Sequence, residues 1–159
     1  MIRAGLFHVL FGSGRHAPIA AEDQARVIVS ILEDPASHRG KIYPLYGPVE
    51  LTHKEIAQVL SRVLGKDVQY KQVSFETWLQ IMASGGQQPP AEHSARALYG
   101  EFEQKARTGD SFLVQHLREV AIDHQNGVFA GTNDVVKKIS GRQPTTLEEF
   151  ITKHRKAFA

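Results

Sequence analysis

The residues whose spacing most plainly offers chemistry lie near the start of the chain, in the run Gly12-Ser13-Gly14-Arg15-His16-Ala17. Two glycines one residue apart, with a small residue three further on, fit the pattern G-x-G-x-x-G/A. In that pattern, backbone amides at a helix N-terminus hold a dinucleotide diphosphate. An apolar run, Leu6-Phe7-His8-Val9-Leu10-Phe11, precedes the glycines, and a helical pattern follows from about Ala20. Strand, glycine turn and helix in that order are the context the pattern demands.

Three features oppose that reading. Pro18 removes one N–H from the turn that would cradle the phosphates. Glu22 and Asp23 occupy the first helical turn, where they suit the helix dipole but repel a phosphate. A carboxylate should follow about 20 residues on to hold the ribose. The next strand candidate closes at Leu45-Tyr46-Gly47-Pro48 and offers none. The glycine run therefore reads as the exit loop of a strand, and no residue of this chain is assigned to cofactor binding. A stand-alone NAD(P) binder using Gly12–Ala17 is the weakest of three functional alternatives.

The other reactive residues form no complete set. The eight histidines are His8, His16, His38, His53, His93, His116, His124 and His154. Asp123-His124, with His116 two turns earlier, comes nearest to a ligand group. No His-x-x-x-His pair or added carboxylate completes it on one helix face, so no metal is expected. Asp23 reads as a stabiliser of a helix N-terminus rather than as a catalytic acid. Ser13 lacks the G-x-S-x-G context of a nucleophile elbow. Arg15 and His16 follow the carboxyl end of a strand, where open α/β sheets place ligands, so they are candidates for contact with a substrate or a phosphate. Phe75, Trp78 and Met82 recur at helical spacing and read first as core.

Composition bounds the possibilities. A chain of 159 residues suits one domain with a true core. A net charge of +2, with Lys and Arg spread along the chain, gives no basic surface for nucleic acid. No apolar run approaches a membrane span. The apolar stretch near the N-terminus is short, is interrupted by His8 and has no small-residue cleavage site. With no cysteine, disulfides, thiol catalysis and Cys-based zinc sites are excluded, which fits a cytoplasmic protein.

The elements that must position these residues alternate early and become helical late. Residues 5–11 read as a strand and 20–34 as a helix with the stripe Ala21, Ala25, Ile28 and Leu32, stopped by Pro35. Residues 41–46 read as a short strand closed by Gly47-Pro48. Thr52-His53-Lys54-Glu55 is a capping box opening a helix that buries Ile56, Val59, Leu60 and Val63 and ends at Gly65. Residues 68–73 alternate as a strand, and Ser74 caps a helix with the stripe Phe75, Trp78, Leu79 and Met82. Helices are expected over 91–107, and over 112–124 with Leu113, Leu117, Val120 and Ala121 inward. Thr132 or Asn133 caps a short helix ending at Gly141. Thr146-Leu147-Glu148-Glu149 opens a terminal helix presenting Leu147, Phe150, Ile151, His154 and Phe158. Three short strands separated by helices are too few for a covered parallel sheet, so the chain reads as part of a larger domain.

Ordered segments of the chain resemble the NmrA-like, atypical short-chain dehydrogenase/reductase family. Pro18-Ile19 with Asp23 and Ala25 is similar to its P-[IV]-x-x-x-D-x-A segment. His38-Arg39-Gly40-Lys41-Ile42-Tyr43-Pro44-Leu45-Tyr46-Gly47-Pro48 resembles its H-x-G-K-x-Y-x-L-x-G-P segment. Glu55-Ile56-Ala57 and the run from Leu64 to Tyr70 resemble the next helix and strand, and Gly141-Arg142-Gln143-Pro144-Thr145-Thr146 through Phe150 is similar to the closing G-R-x-P-x-T-x-x-x-F helix. The resemblance covers most of residues 15–158.

The resemblance implies an α/β fold: the C-terminal portion of a Rossmann-like reductase, with late Rossmann strands and a helix over 1–47 and a mainly helical substrate-binding lobe over 48–159. It implies that the N-terminal cofactor-binding half is absent. The Tyr-x-x-x-Lys pair of catalytic relatives is also missing, since none of Tyr43, Tyr46, Tyr70 and Tyr99 has a Lys four residues later. In a full-length member NAD(P) would exchange a hydride with a small carbonyl, quinone or similar acceptor. This chain alone is expected to bind no cofactor and to be inactive. His8, Phe11, Arg15, His16 and Trp78 are the expected lining of the substrate pocket. The alternative is a non-enzymatic regulatory or redox-sensing module. An exposed sheet edge would favour a homo-oligomer or a partner chain.

Overall fold

The computed structural model describes residues 2–83 and 111–158. After a 3₁₀ turn over Ile2–Ala4, strand β1 (Leu6–Val9) pairs in parallel with β4 (Gln69–Gln72). Leu6 lies opposite Gln69 and Val9 opposite Gln72. A parallel pair needs a long crossover, and here α1 (Ala21–Glu33), α2 (Pro35–His38) and α3 (His53–Leu64) lie between the strands. A second pair is antiparallel: β2 (Arg15–His16) lies against β3 (Leu51–Thr52), with His16 opposite Leu51. Arg15 and His16 were expected in a loop, and two residues are too few to show a strand period.

The strand expected over 41–46 does not form. The segment joins no ladder. Tyr43 instead meets His38 Nδ1 through its hydroxyl at 2.8 Å, and the Gly47 N–H donates to Ala17 O at 3.1 Å. At Gly47 the chain crosses so close to Pro18 that a Cβ would lie 1.8 Å from the Pro18 carbonyl oxygen. The glycine is required by that crossing, not by the turn.

Helix α1 is rotated from the expected orientation. Its buried residues are Asp23 and Val27, while Ile28 and Leu32 of the expected stripe are 55% and 71% exposed. The cause is polar. Asp23 accepts hydrogen bonds from the Thr145 amide and hydroxyl and pairs with Arg26 at 2.7 Å, which fixes the helix face turned to the core.

Helix α3 follows its capping signal. Thr52 Oγ1 accepts from the Glu55 amide at 3.2 Å, and Glu55 Oε2 accepts from the Thr52 amide at 2.7 Å. Gly65 ends the helix at φ +72°. Ile56, Val59 and Leu60 form the first core with Val68 and Ile151, and Phe7, Val63, Leu147 and Phe158 pack at its margin. The second capping box, at Thr146 and Glu149, opens α7 (Leu147–Lys153). The terminal helix, expected to be continuous, breaks at His154 and resumes as α8 (Arg155–Phe158). There the Arg155 guanidinium donates to the Val63 and Leu64 carbonyls, satisfying the end of α3.

The second core joins Leu10, Phe75 and Ala121, with Phe11, Trp78, Leu79, Val114 and Leu117 around them. Its helices are α4 (Phe75–Ala83), whose Thr77 amide donates to Ser74 Oγ, and α5 (Ser111–Gln125). Asn133 Oδ1 accepts from the Val135 amide ahead of α6 (Val135–Ser140), and Gly141 closes that helix. The helix expected over 91–107 lies outside the described residues.

Candidate functional site

Three histidines remote in sequence meet where the two cores adjoin. His16 ends β2, His53 is the first residue of α3, and His124 lies in the last turn of α5. The His16 and His53 rings stack with centroids 4.8 Å apart. His124 stands edge-on to both, at 4.7 Å from His16 and 5.2 Å from His53. Phe11 packs on His53 at 4.9 Å and on His124 at 4.6 Å, with Phe7 and Phe129 completing an aromatic surround. His124 is backed by the glycine turn: a Cβ on Gly14 would lie 2.1 Å from the His124 carbonyl oxygen and 2.9 Å from its Nδ1.

The environment keeps these rings neutral. Burial, with the adjacent His124, lowers the His16 pKa to about 4. Burial, with His16 and His124, lowers that of His53 to about 3. His124 is also lowered, by burial against an opposing backbone hydrogen bond. Taking an imidazolium out of water, next to rings that would share its charge, disfavours protonation. Each ring keeps a buried Nδ1 with no hydrogen-bond partner among the described residues.

Arg15 borders the cluster but is already engaged. Its Nε donates to Glu50 Oε1 at 2.8 Å, its Nη2 to the Glu50 carbonyl at 3.0 Å, and its Nη1 lies 3.2 Å from Glu55 Oε2. Glu50 also accepts the Gly131 amide at 2.8 Å. The guanidinium thus fastens β2 to the residue leading into β3 and to the cap of α3, with two carboxylates on one cation.

The glycine run does not fit a dinucleotide diphosphate. It opens onto β2, and α1 starts only at Ala21. The Gly14 amide donates to Phe11 O at 3.1 Å, and the Gly12 carbonyl accepts from the Tyr70 hydroxyl at 2.9 Å. A phosphate cradle needs amides free and aligned on a helix N-terminus, whereas here the Gly14 N–H is bonded inside the turn and no helix N-terminus follows it directly.

Of the five expected pocket residues, the fold brings Phe11 and His16 into the histidine cluster and Arg15 to its border. His8 lies on β1 opposite Lys71, and Trp78 packs beside Phe75 in the second core, ring centroids 6.3 Å apart. All five are partly exposed. Asp23 has a structural role as expected, but through Thr145 and Arg26 rather than through its own helix end. His53 and His124 were not expected at a site. Each sits on a different element from His16, so no spacing along the chain reveals the cluster. His116, paired with His124 in the sequence reading, is exposed.

The NmrA-like family matches residues 15–151. The chain is 30% identical over 154 residues to an NAD(P)H azoreductase of Xenophilus azovorans, covering 97% of this chain and 46% of the relative. An uncharacterized oxidoreductase of Bacillus subtilis is 28% identical, with 90% and 42% covered. Among solved structures, the NADPH-dependent quinone oxidoreductase QOR2 from Escherichia coli, complexed with NADPH, superposes with a TM-score of 0.72 at 21% identity. It covers 97% of this chain and 46% of that one. The Citrobacter sp. triphenylmethane reductase, complexed with NADP(H), gives 0.68 at 24%, covering 98% and 45%. These structures share the fold. The chain spans just under half the length of each of these relatives.

Proposed function

The chain belongs to the NmrA-like family, and from that premise we propose that it is the substrate-binding half of an NAD(P)-dependent oxidoreductase-like protein. On this reading it does not hold the cofactor and does not catalyse hydride transfer by itself. The carrying observation is the glycine turn, whose Gly14 amide and Gly12 carbonyl are bonded inside the chain and whose exit is a strand. The azoreductase and quinone oxidoreductase relatives support a redox-active small molecule, of the azo or quinone class, as the whole protein's substrate.

The cofactor would supply the hydride chemistry in the whole protein. This chain's contribution is a wall. On this reading His8, Phe11, Arg15, His16 and Trp78, each partly exposed, contribute to that wall, and the rings of His8, Phe11, His16 and Trp78 suit a planar acceptor. Burial lowers the His16 pKa, so that ring would present a neutral imidazole. The exposed apolar residues Ile28, Val29 and Leu32 on α1 support a further polypeptide packing there.

That same face favours a second reading, a non-enzymatic interaction module. Calorimetric titration of NADPH into the purified chain tests the first. No saturable binding is expected, and micromolar affinity would overturn it. Titrating a planar quinone into the same chain separates the two readings. Binding weakened by Phe11→Ala and Trp78→Ala supports the substrate wall, whereas no binding at all leaves the interaction module.

A further inference from the structure

We propose that His16, His53 and His124 form a binding site for a divalent transition-metal cation of the zinc class. Each ring offers one nitrogen, and the three nitrogens lie within 4.8 Å of one another. A tetrahedral Zn²⁺ about 2.1 Å from each nitrogen would set them about 3.4 Å apart, so binding draws the rings together and reorients the stacked His16 and His53.

A second observation is independent of that spacing. Nδ1 of each ring is buried and lacks a hydrogen-bond partner among the described residues. His53 is 6% and His124 8% exposed, so water does not readily satisfy them. A buried imidazole ordinarily bonds through both nitrogens or binds a metal through one. Three such rings converge, each with a buried Nδ1 that has no hydrogen-bond partner among the described residues.

The donor set selects the cation. Three imidazoles carry no charge, and the neighbouring carboxylates Glu50 and Glu55 are held by Arg15. A hard ion such as Mg²⁺ or Ca²⁺ needs oxygen ligands. Zn²⁺, Cu²⁺, Ni²⁺ and Co²⁺ accept imidazole, and a three-histidine set leaves a fourth position for water or an added ligand. The aromatic surround of Phe11, Phe7 and Phe129 shields the centre and packs the rings in place. Gly14 is the backing that allows this approach, because a side chain there would displace His124.

The test uses the full chain, stripped with EDTA and titrated with Co²⁺. The expected result is the visible absorption of tetrahedral cobalt, saturating at one equivalent and abolished by added Zn²⁺. His16→Gln, at the most exposed ligand, should weaken binding about a hundredfold, while His116→Gln should leave it unchanged. No tetrahedral band in the unaltered chain, or equal binding in His16→Gln, overturns the proposal. The His53→Gln and His124→Gln variants sit deeper, so a direct readout covers failure to fold. On adding one equivalent of Zn²⁺ to the unaltered chain, the imidazole NMR signals of His16, His53 and His124 should shift and those of His38 and His116 should not. Shifts confined to the surface histidines overturn the assignment.

Discussion

Asp23 and Thr145, 122 positions apart, are joined by two hydrogen bonds: the Thr145 amide donates to Asp23 Oδ2 at 2.6 Å and its hydroxyl to Oδ1 at 2.9 Å. The carboxylate has no solvent exposure, and Arg26 supplies its counter-charge. Asp23→Ala would leave buried donors and a cation without their acceptor. The expected loss is about 3–5 kcal/mol, as for breaking a buried pair from one side. Urea denaturation measures it. Glu22→Ala, one residue earlier, removes the solvent-exposed contacts with Lys153 and His154 and should leave the midpoint nearly unchanged.

The rotation of α1 separates neighbours sharply. Val27 is 2% exposed and Ile28 more than half exposed. Val27→Ala should cost about 2 kcal/mol through lost burial and a cavity. Ile28→Ser should leave the stability of the isolated chain unchanged and reduce self-association in light scattering. Equal destabilisation by both would contradict the rotation.

Gly47→Ala tests the crossing over Pro18. The added Cβ would meet backbone atoms, which cannot swing aside as a side chain can. A loss of about 3 kcal/mol is expected, at the upper end of overpacking effects. Gly40→Ala provides the contrast, since nothing lies within 4 Å of its Cβ position. There only the strain of φ +71° applies, about 1 kcal/mol. Thermal denaturation of the two variants should rank them in that order.

The histidine cluster sets a pH dependence in the EDTA-treated protein. His16 and His53 protonate at about 4 and about 3 when folded, against 6.5 in the open chain. The unfolded state therefore takes up protons first as pH falls. The contribution to stability is fully present above 6.5 and is lost as pH falls through the window down to the folded values. His124, Arg15, Glu50 and Glu55 adjoin these rings, and the hydrogen bonds with Thr52 hold Glu55 below the ordinary carboxylate value. Denaturation at a pH above 6.5 and at one midway to 4 should show the drop, and Phe in place of His53 should shrink it.

Local signals carried much of this fold. Thr52 with Glu55, Thr146 with Glu149, and the stops at Gly65 and Gly141 are all decided within a turn of helix, so adjacent residue types specify them. The parallel pairing of β1 with β4 agreed with the helical crossover between them. What the chain order hid was set at long range. Asp23 turned α1 by binding a residue near the other end of the chain. Residues 41–46 have a strand's composition, but no ladder accepts them and Gly47 bonds Ala17 instead. The same limit applies to the candidate site. Arg15, His16 and Phe11 were readable beside the glycine run, whereas His53 and His124 reach it only through packing of α3 and α5. Periodicity describes one element at a time, and a cluster assembled from three has no period.

Phe7 belongs to the first core and Phe11 to the second, and the ring of His53 touches both. The few residues from β1 to the glycine turn therefore act as an axle through two oily halves. A proline at Val9, opposite Gln72 in the β1–β4 ladder, would remove a strand N–H there, uncouple the halves and wet both aromatic flanks together. Fluorescence of Trp78 in one half would then no longer follow the melting of α3 in the other.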